Sequence, residues 1–177
     1  RLLGAPITTE QAKLMGLAAT QVDTVTGKGG ERREINDVVV EPILGRHGDG
    51  PEAVDAAAST AFRALQAAVG ITRTPEQQAA ARAAAPGSRD PKIVTEGVIS
   101  YLMTFGNDFR IMFRDTSGVD ETGAGTEWER AVMQRIGKTD LAIVSYSILI
   151  PQGQTTTIPL VKLYNPKFYM PPHHDEV

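Results

Sequence analysis

Apolar residues recur at helical spacing in four separate stretches of the chain. The first predicted helix begins at Thr8, which is a suitable N-cap with a glutamine three residues later, and it ends near Asp23. Thr126 and Glu129 form the same capping signature, which predicts a short helix that ends at Gly137.

The other two predicted helices are rich in alanine and lie between residues 51 and 85. An apolar stripe that includes Phe62 and Leu65 marks the first, and the capping sequence Thr74–Gln77 opens the second. Small side chains bury little area each, so such helices gain from close backbone approach to a neighbour. The neighbour is either the other helix, in an intramolecular hairpin, or another subunit, in which case Phe62 and Leu65 belong to an interface.

Runs of β-branched residues predict strands in the first two-thirds of the chain as well. Ile35–Leu44 is such a run, and Pro42 places its end at a sheet edge or a bulge. Residues 91–105 leave two interpretations open, because periodicity over so few residues does not decide between a helix up to Phe105 and a strand over residues 98–104.

The strongest strand signals come later in the chain. From Phe109 to Phe113 every second residue is apolar, which predicts a half-buried strand whose outer face is basic through Arg110 and Arg114. Residues 141–150 and 155–164 are rich in β-branched and aliphatic side chains, and together they predict a β-hairpin with a longer loop.

These elements predict an α+β fold in which a helix-rich N-terminal two-thirds packs on a small antiparallel sheet with a C-terminal β-hairpin. Residues 1–164 form a single domain in this interpretation, with a candidate flexible linker at residues 86–91. Residues 165–177 form a proline-rich extended arm.

The C-terminal arm combines three prolines with large apolar groups. Tyr164, Phe168, Tyr169 and Met170 are of the residue types that anchor protein interfaces. Such a segment either folds back over its own domain or docks on a partner, and the sequence leaves both outcomes open.

Composition narrows the classes of function. The chain has 177 residues, of which 41% are hydrophobic and 22% charged, as in an ordinary globular domain, and it lacks the run of about 18–20 apolar residues that a membrane span needs. A net charge of −3 argues against nucleic acid as a direct ligand, and the absence of cysteine excludes disulfides and thiolate chemistry. We expect a cytoplasmic location or one within an assembly, and secretion stays open because the chain opens at Arg1 rather than at a methionine.

One tripeptide has the residue types of a phosphoryl-transfer site. Arg46-His47-Gly48 follows a predicted strand and precedes a helix, and in this it resembles the signature of the histidine phosphatases. The resemblance implies His47 as the residue that takes the phosphoryl group, with Arg46 and a further arginine, such as Arg63 or Arg110, on the phosphate. The family also has a second histidine after a late strand, whereas the other two histidines here lie in the C-terminal tail. This departure favours a turn with a surface histidine.

Three further segments could in principle bind a ligand. Gly27–Gly30 offers backbone amides to a phosphate but lacks the spacing of a phosphate-binding loop, so we predict an ordinary connection. The acidic loop with Asp115, Asp120 and Glu121 lacks the residue order of a calcium loop, and His173–Glu176 is predicted to be a disordered tail. We therefore predict no catalytic residue, no metal site and no cofactor.

These observations together favour a non-enzymatic structural subunit of a larger multi-subunit complex, a virion-like particle or similar. We expect it to associate with other protein subunits, identical or different, through its terminal arms and its Ala-rich helical face. The alternative is a ligand- or peptide-binding module that uses the edge of the hairpin. A phosphoryl hydrolase that uses His47 is the third and weakest hypothesis.

Overall fold

A computed structural model describes residues 1–46, 98–116, 118–119, 123–145 and 156–172, together with Thr74 and Glu76. Within these residues the chain forms eight strands and three α-helices. The strands are β1 (Leu2–Gly4), β2 (Val22–Thr24), β3 (Arg33–Ile35), β4 (Val38–Leu44), β5 (Ile99–Phe105), β6 (Arg110–Arg114), β7 (Leu141–Val144) and β8 (Phe168–Met170). The helices are α1 (Pro6–Leu14), α2 (Glu127–Ile136) and α3 (Ile158–Tyr164). No helix among these residues is both long and apolar enough to span a lipid bilayer.

Strands β3 to β8 form one six-stranded sheet, in which the spatial order of the strands is their order in the sequence. The strands from β3 to β6 are antiparallel, whereas β7 and β8 are added parallel to β6. A parallel pair needs a crossover connection, and α2 and α3 lie in the two crossovers. Because such crossovers are right-handed, both helices pack on the same face of the sheet, where they also contact each other.

The hydrophobic core lies between this face and the two helices. Its buried residues come from four strands and both helices: Ile43, Leu102, Met112, Met133, Ala142, Val144, Leu160 and Tyr164. Burial of one large apolar side chain contributes about 1.5–3 kcal/mol, so this cluster is the main source of stability.

The N-terminal residues form a small unit beside the sheet. Strands β1 and β2 pair in parallel and α1 connects them, with Ala5, Thr9 and Val25 buried between these elements. The Tyr101 hydroxyl of β5 donates a hydrogen bond to the Leu3 carbonyl at 2.9 Å, which ties this unit to the sheet.

The predicted helix-rich N-terminal two-thirds is wrong. The described chain has three short helices, and the six-stranded mixed sheet begins at Arg33 and uses residues from most of the chain. Strands Val38–Leu44 and Ile99–Phe105 pair with each other along their whole length, which is the longest pairing in the sheet. The Ala-rich helices, with Phe62 and Leu65, and the candidate linker at residues 86–91 lie outside the described residues, apart from Thr74 and Glu76.

The predicted helix over Thr8–Asp23 has the wrong bounds. Helix α1 starts at Pro6, because proline fits the first helical turn, and it ends at Leu14. Gly16 follows at φ +100°, a backbone conformation that stops a helix and that glycine adopts without strain. The residues after it lead into β2 instead of continuing the helix.

The predicted C-terminal hairpin is also wrong. Leu141–Val144 is a strand, but its predicted partner contains the helix α3, with Pro159 in the first turn. Leu160 and Tyr164 are one helical turn apart and are both fully buried, so the face of α3 that bears them packs in the core. The antiparallel sheet is corrected accordingly, since β6, β7 and β8 are parallel.

Three other predictions have clear outcomes. The strand interpretation of residues 98–104 is confirmed by β5, and the helix interpretation is wrong for this stretch. The strand around Phe109–Phe113 is confirmed, but its basic outer face is not, because Arg114 is fully buried. Helix α2 is confirmed in full: Thr126 is the N-cap of a capping box with Glu129, and Gly137 follows the last turn at φ +76°.

Candidate functional site

The face of the sheet opposite α2 and α3 is apolar across five strands. Paired residues of neighbouring strands stand on the same face of a sheet, so the register defines rows of side chains. One row consists of Pro42, Tyr101, Phe113, Ile143 and Met170. The adjacent row consists of Val40, Met103, Ile111, Leu141 and Phe168. We call these ten residues the open face.

Exposure of the open face rises from one side of the sheet to the other. Val40 and Pro42 of β4 are buried, and the six residues contributed by β5, β6 and β7 are half-buried. On β8, Phe168 is 68% exposed and Met170 is 49% exposed. Large apolar groups on a contiguous face of this kind are typical of an interaction surface.

Strand β8 is held at the edge of the sheet by contacts within the chain. Asn165 ends α3 in the left-handed conformation at φ +43°, which turns the backbone back toward the sheet. The Phe168 amide then donates to the Asp140 carbonyl at 2.9 Å, and Lys167 Nζ lies 2.8 Å from Asp140 Oδ1. The first part of the C-terminal arm is therefore docked on its own chain, and among the described residues β8 has a strand neighbour on one side only.

The structure places the predicted interface residues in three different environments. Phe168 and Met170 lie on the open face, whereas Tyr169 points to the other side of β8 and its hydroxyl donates to the Val144 carbonyl at 3.1 Å. Tyr164 is fully buried in the core. Phe62 and Leu65 lie outside the described residues.

The hydroxyl of Tyr164 belongs to a buried ionic cluster with Arg114 and Glu129. Arg114 Nη1 donates to both Glu129 carboxylate oxygens, at 2.7 and 2.8 Å, and the Tyr164 hydroxyl donates to Glu129 Oε1 at 2.6 Å. The Ser100 hydroxyl adds a bond to the same carboxylate oxygen at 3.2 Å. Burial and the Glu129 carboxylate raise the pKa of Tyr164 well above its ordinary value, against the opposing effect of Arg114.

The same arginine positions two loops. Arg114 Nη2 donates to the Arg46 carbonyl at 2.9 Å and to the Gly118 carbonyl, and the Thr116 hydroxyl donates to the Arg46 carbonyl at 3.0 Å. Arg114 Nε has no hydrogen-bond partner among the described residues. Because the charged groups of the cluster are fully buried, the arrangement suits positioning of the backbone rather than contact with a substrate.

The histidine-phosphatase residues are not brought together where the structure describes them. Arg46 follows β4 and is fixed by Arg114 at one end of β6, whereas Arg110 begins the same strand at its other end, about 13 Å away at ordinary strand rise. Arg110 Nη1 donates to the Ile136 carbonyl at 3.4 Å. His47 and Arg63 lie outside the described residues, as do both histidines of the tail.

The glycine loop at Gly27–Gly30 does hold an anion, and the anion is its own glutamate. Glu31 accepts hydrogen bonds from the backbone amide of Thr26, at 3.0 Å to each carboxylate oxygen, and from that of Gly27 at 2.6 Å. The Thr26 hydroxyl adds a third donor at 3.2 Å. A phosphate at these amides would have to displace the carboxylate, so the sequence-based preference for an ordinary connection agrees with this geometry.

Within the described ranges, no group of three or more histidine, aspartate or glutamate side chains could hold a metal ion. Asp115 is exposed, while Asp120, Glu121 and the segment His173–Glu176 lie outside those ranges. The prediction of no metal site stays a prediction.

Sequence reasoning found the β8 residues but missed the surface to which they belong. Tyr101 and Met103, like Leu141 and Ile143, are apolar residues two positions apart, and this spacing is a signal that each strand has an apolar face formed by these residues. Only the register shows that these faces line up with Phe168 and Met170. The burial of Arg114 had no local signal, because its partner Glu129 is a capping residue of a different element.

Comparison of the sequence with protein-family models and with curated proteins found no match.

Proposed function

We propose that this chain is a non-enzymatic subunit of a multi-subunit assembly and that it associates with a second copy of itself through the open face. The single observation that supports this most is the pair Phe168 and Met170, which are 68% and 49% exposed at the end of two apolar rows. Apolar side chains at these exposures are stabilised when a partner removes them from water.

Packing of one open face on another is compatible with sheet geometry. Two sheets pack face to face about 10 Å apart, with side chains of the inner faces interdigitating. A contact between identical surfaces is self-complementary about a two-fold axis, so the same residues serve both subunits. These are the residues at the β8 side of the open face, because Val40 and Pro42 are buried within the chain and the Tyr101 hydroxyl is bonded to the N-terminal unit. Full burial of an exposed side chain of this size contributes about 1.5–3 kcal/mol, and Phe168 and Met170, which are already partly buried, would each contribute a fraction of this before the cost of association.

The oligomeric state in solution tests this proposal. Light scattering after size-exclusion chromatography should show a dimer or larger species whose fraction rises with concentration. The double variant Phe168→Glu/Met170→Glu should be monomeric, because it places charges in the apolar rows. Both side chains are exposed, so its thermal unfolding should remain close to that of the parent chain.

A matched control uses apolar residues that are exposed elsewhere. Leu14 and Met15, at the end of α1, are 88% and 84% exposed and do not belong to the open face. Leu14→Glu/Met15→Glu should leave the oligomeric state unchanged. The proposal fails if the parent chain is monomeric at every concentration, or if the two double variants dissociate it equally.

A further inference from the structure

A groove of about 390 Å³ lies on the other side of the molecule from β8, where the glycine loop faces helix α2. Its lining comes from three segments: the glycine loop with Glu31 and Arg32, the middle of β4 around Pro42, and the face of α2 that bears Trp128 and Arg135. This volume is at the lower end of the range for small-molecule sites, which are mostly apolar and have few polar groups.

The walls of the groove are fixed by contacts outside it. The Leu44 amide donates to the Gly27 carbonyl at 2.8 Å, which attaches the loop to β4. The Glu31 carboxylate holds the start of the loop through the amides of Thr26 and Gly27. On the opposite wall, the capping box of α2 fixes the helical turn that bears Trp128. A preformed groove binds a ligand without the cost of ordering a loop.

Among the described residues, the charges in the lining leave one cation, Arg32, without an ionic partner. Glu31 is hydrogen-bonded by the loop amides, and Glu41 Oε2 lies 2.6 Å from Arg135 Nη2 in an ion pair. Arg32 is exposed and makes no ion pair with any residue in the described part of the chain. A ligand that brings an anionic group is therefore complementary to this lining.

The Trp128 ring forms one wall of the groove and lies next to the backbone of Gly29. A side chain at Gly29 would come within 3.6 Å of the Trp128 ring, so the absence of one leaves this part of the ring open to the groove. Aromatic rings pack well on tryptophan in offset or edge-to-face arrangements. Pro42, Ile43 and Val132 supply the remaining apolar contacts.

We propose that this groove is a binding site for a small aromatic carboxylate. The ring of the ligand packs against Trp128, and its carboxylate pairs with the guanidinium of Arg32. Among the described lining residues only Pro42 also belongs to the open face, and it lies four strands away from Phe168 and Met170. Phe168→Glu/Met170→Glu should therefore leave ligand binding unchanged, which distinguishes failure of this site from failure of the proposed subunit contact.

The single tryptophan of the chain makes the groove directly observable. Titration with phenylacetate should change the fluorescence of Trp128 along a saturable curve. Phenylacetamide, which has the same ring and no charge, should bind about tenfold more weakly, as expected for loss of a charge-assisted hydrogen bond. Cyclohexylacetate retains the charge but loses the aromatic ring, so it should also bind more weakly than phenylacetate.

Two variants test whether the ligand carboxylate pairs with Arg32 itself or is attracted by the positive charge of the loop as a whole. Arg32→Gln should weaken phenylacetate binding about tenfold and abolish the preference for the acid over the amide. Lys28→Gln removes a cation of the same loop that does not line the groove, and it should leave the affinity unchanged. The proposal is overturned if phenylacetate gives no saturable signal, if the acid and the amide bind equally, or if the two variants weaken binding to the same extent.

Discussion

Arg114 and Glu129 form an ion pair in which neither side chain has any exposure to solvent, with Arg114 Nη1 2.7 Å from Glu129 Oε1. The pair joins the end of β6 to the first turn of α2, and the Tyr164 hydroxyl joins the same carboxylate to α3. One buried carboxylate therefore links both crossover helices to the sheet. Its hydrogen bonds offset the cost of taking the charges out of water.

Removal of one partner from this pair should be strongly destabilising. Glu129→Gln leaves the Arg114 charge buried without a counter-ion, and we expect the free energy of unfolding to fall by about 3–5 kcal/mol. Arg135→Ala breaks an ion pair in which Arg135 is 52% exposed, and it should cost no more than about 1 kcal/mol. Urea titrations of the two variants measure this difference. Equal losses of unfolding free energy would contradict the argument that burial makes the Arg114–Glu129 pair the more sensitive one.

The hydroxyl of Tyr164 should make stability sensitive to alkaline pH. Its pKa is raised in the folded state by burial and by Glu129, so above about pH 10 an unfolded chain ionises this tyrosine while the folded chain keeps it protonated. The unfolded state then binds fewer protons, and stability falls as pH rises. Tyr164→Phe should lose about 1–3 kcal/mol at neutral pH but show a shallower loss above pH 10.

Unfolding midpoints in urea from about pH 8 to pH 11 provide the measurement for Tyr164. Tyr169→Phe is the control, because Tyr169 is 38% exposed at the sheet edge. An alkaline slope that is the same in Tyr164→Phe and in the parent chain would show that Tyr164 is not the group responsible.

Asp23 should hold the N-terminal unit against the sheet in a pH-dependent way. The hydrogen bond and charge of Arg33, with a contribution from Arg1, keep the pKa of Asp23 below its ordinary value. The stabilisation is therefore complete above about pH 4 and is lost as pH falls through the lowered pKa. Asp23→Asn should cost about 1 kcal/mol at neutral pH and accelerate amide hydrogen exchange in β1 and β2 more than in β5.

Glu10→Gln is the control for that experiment, since it removes an exposed carboxylate from α1 in the same unit. Exchange in β1 and β2 that is unchanged in Asp23→Asn would show that the ion pair does not hold the unit in place.

Gly27 and Gly30 form a matched pair for the conformation of the glycine loop. Both have positive φ, +70° and +76°, so alanine is strained at either position. A Cβ at Gly27 would also collide with the backbone of Ile43 and Leu44, whereas none of the structure lies within 4 Å of one at Gly30. We expect Gly30→Ala to cost about 1 kcal/mol and Gly27→Ala about 3 kcal/mol, as measured by thermal or urea unfolding. Similar losses for both variants would mean that the loop moves freely away from β4.

Local signals predicted the elements that are stabilised locally. Helix α2 has its N-cap, its capping box and its terminal glycine within twelve residues, so Thr126, Glu129 and Gly137 define it without reference to the rest of the chain. The β-branched run Val38–Leu44 was recognisable for the same reason. The break after α1 had a local signal too, because Gly16 stops the helix that the apolar spacing extended to Asp23.

The incorrect predictions concern residues whose conformation or burial depends on partners that are distant in the sequence. The segment Ile158–Tyr164 has the composition of a strand, but the core accepts Leu160 and Tyr164 on one helical face. Arg114 alternates with apolar residues as a surface arginine would, yet it is buried because Glu129 balances its charge and Glu129, Arg46 and Gly118 accept hydrogen bonds from its two Nη atoms. Neither arrangement is visible until the sheet has been assembled.

The strand order of the sheet has a consequence for how the protein forms during synthesis. Because β3 to β8 lie side by side in the order in which they occur in the chain, each new strand adds to an edge that is already present. None of the described strands has to insert between two that have already paired, and β8, the last of them in the sequence, completes the row that ends at Met170. A nascent chain can thus extend its sheet from one end to the other as it leaves the ribosome. The contact proposed for Phe168 and Met170 would therefore become possible only after the rest of this sheet has formed.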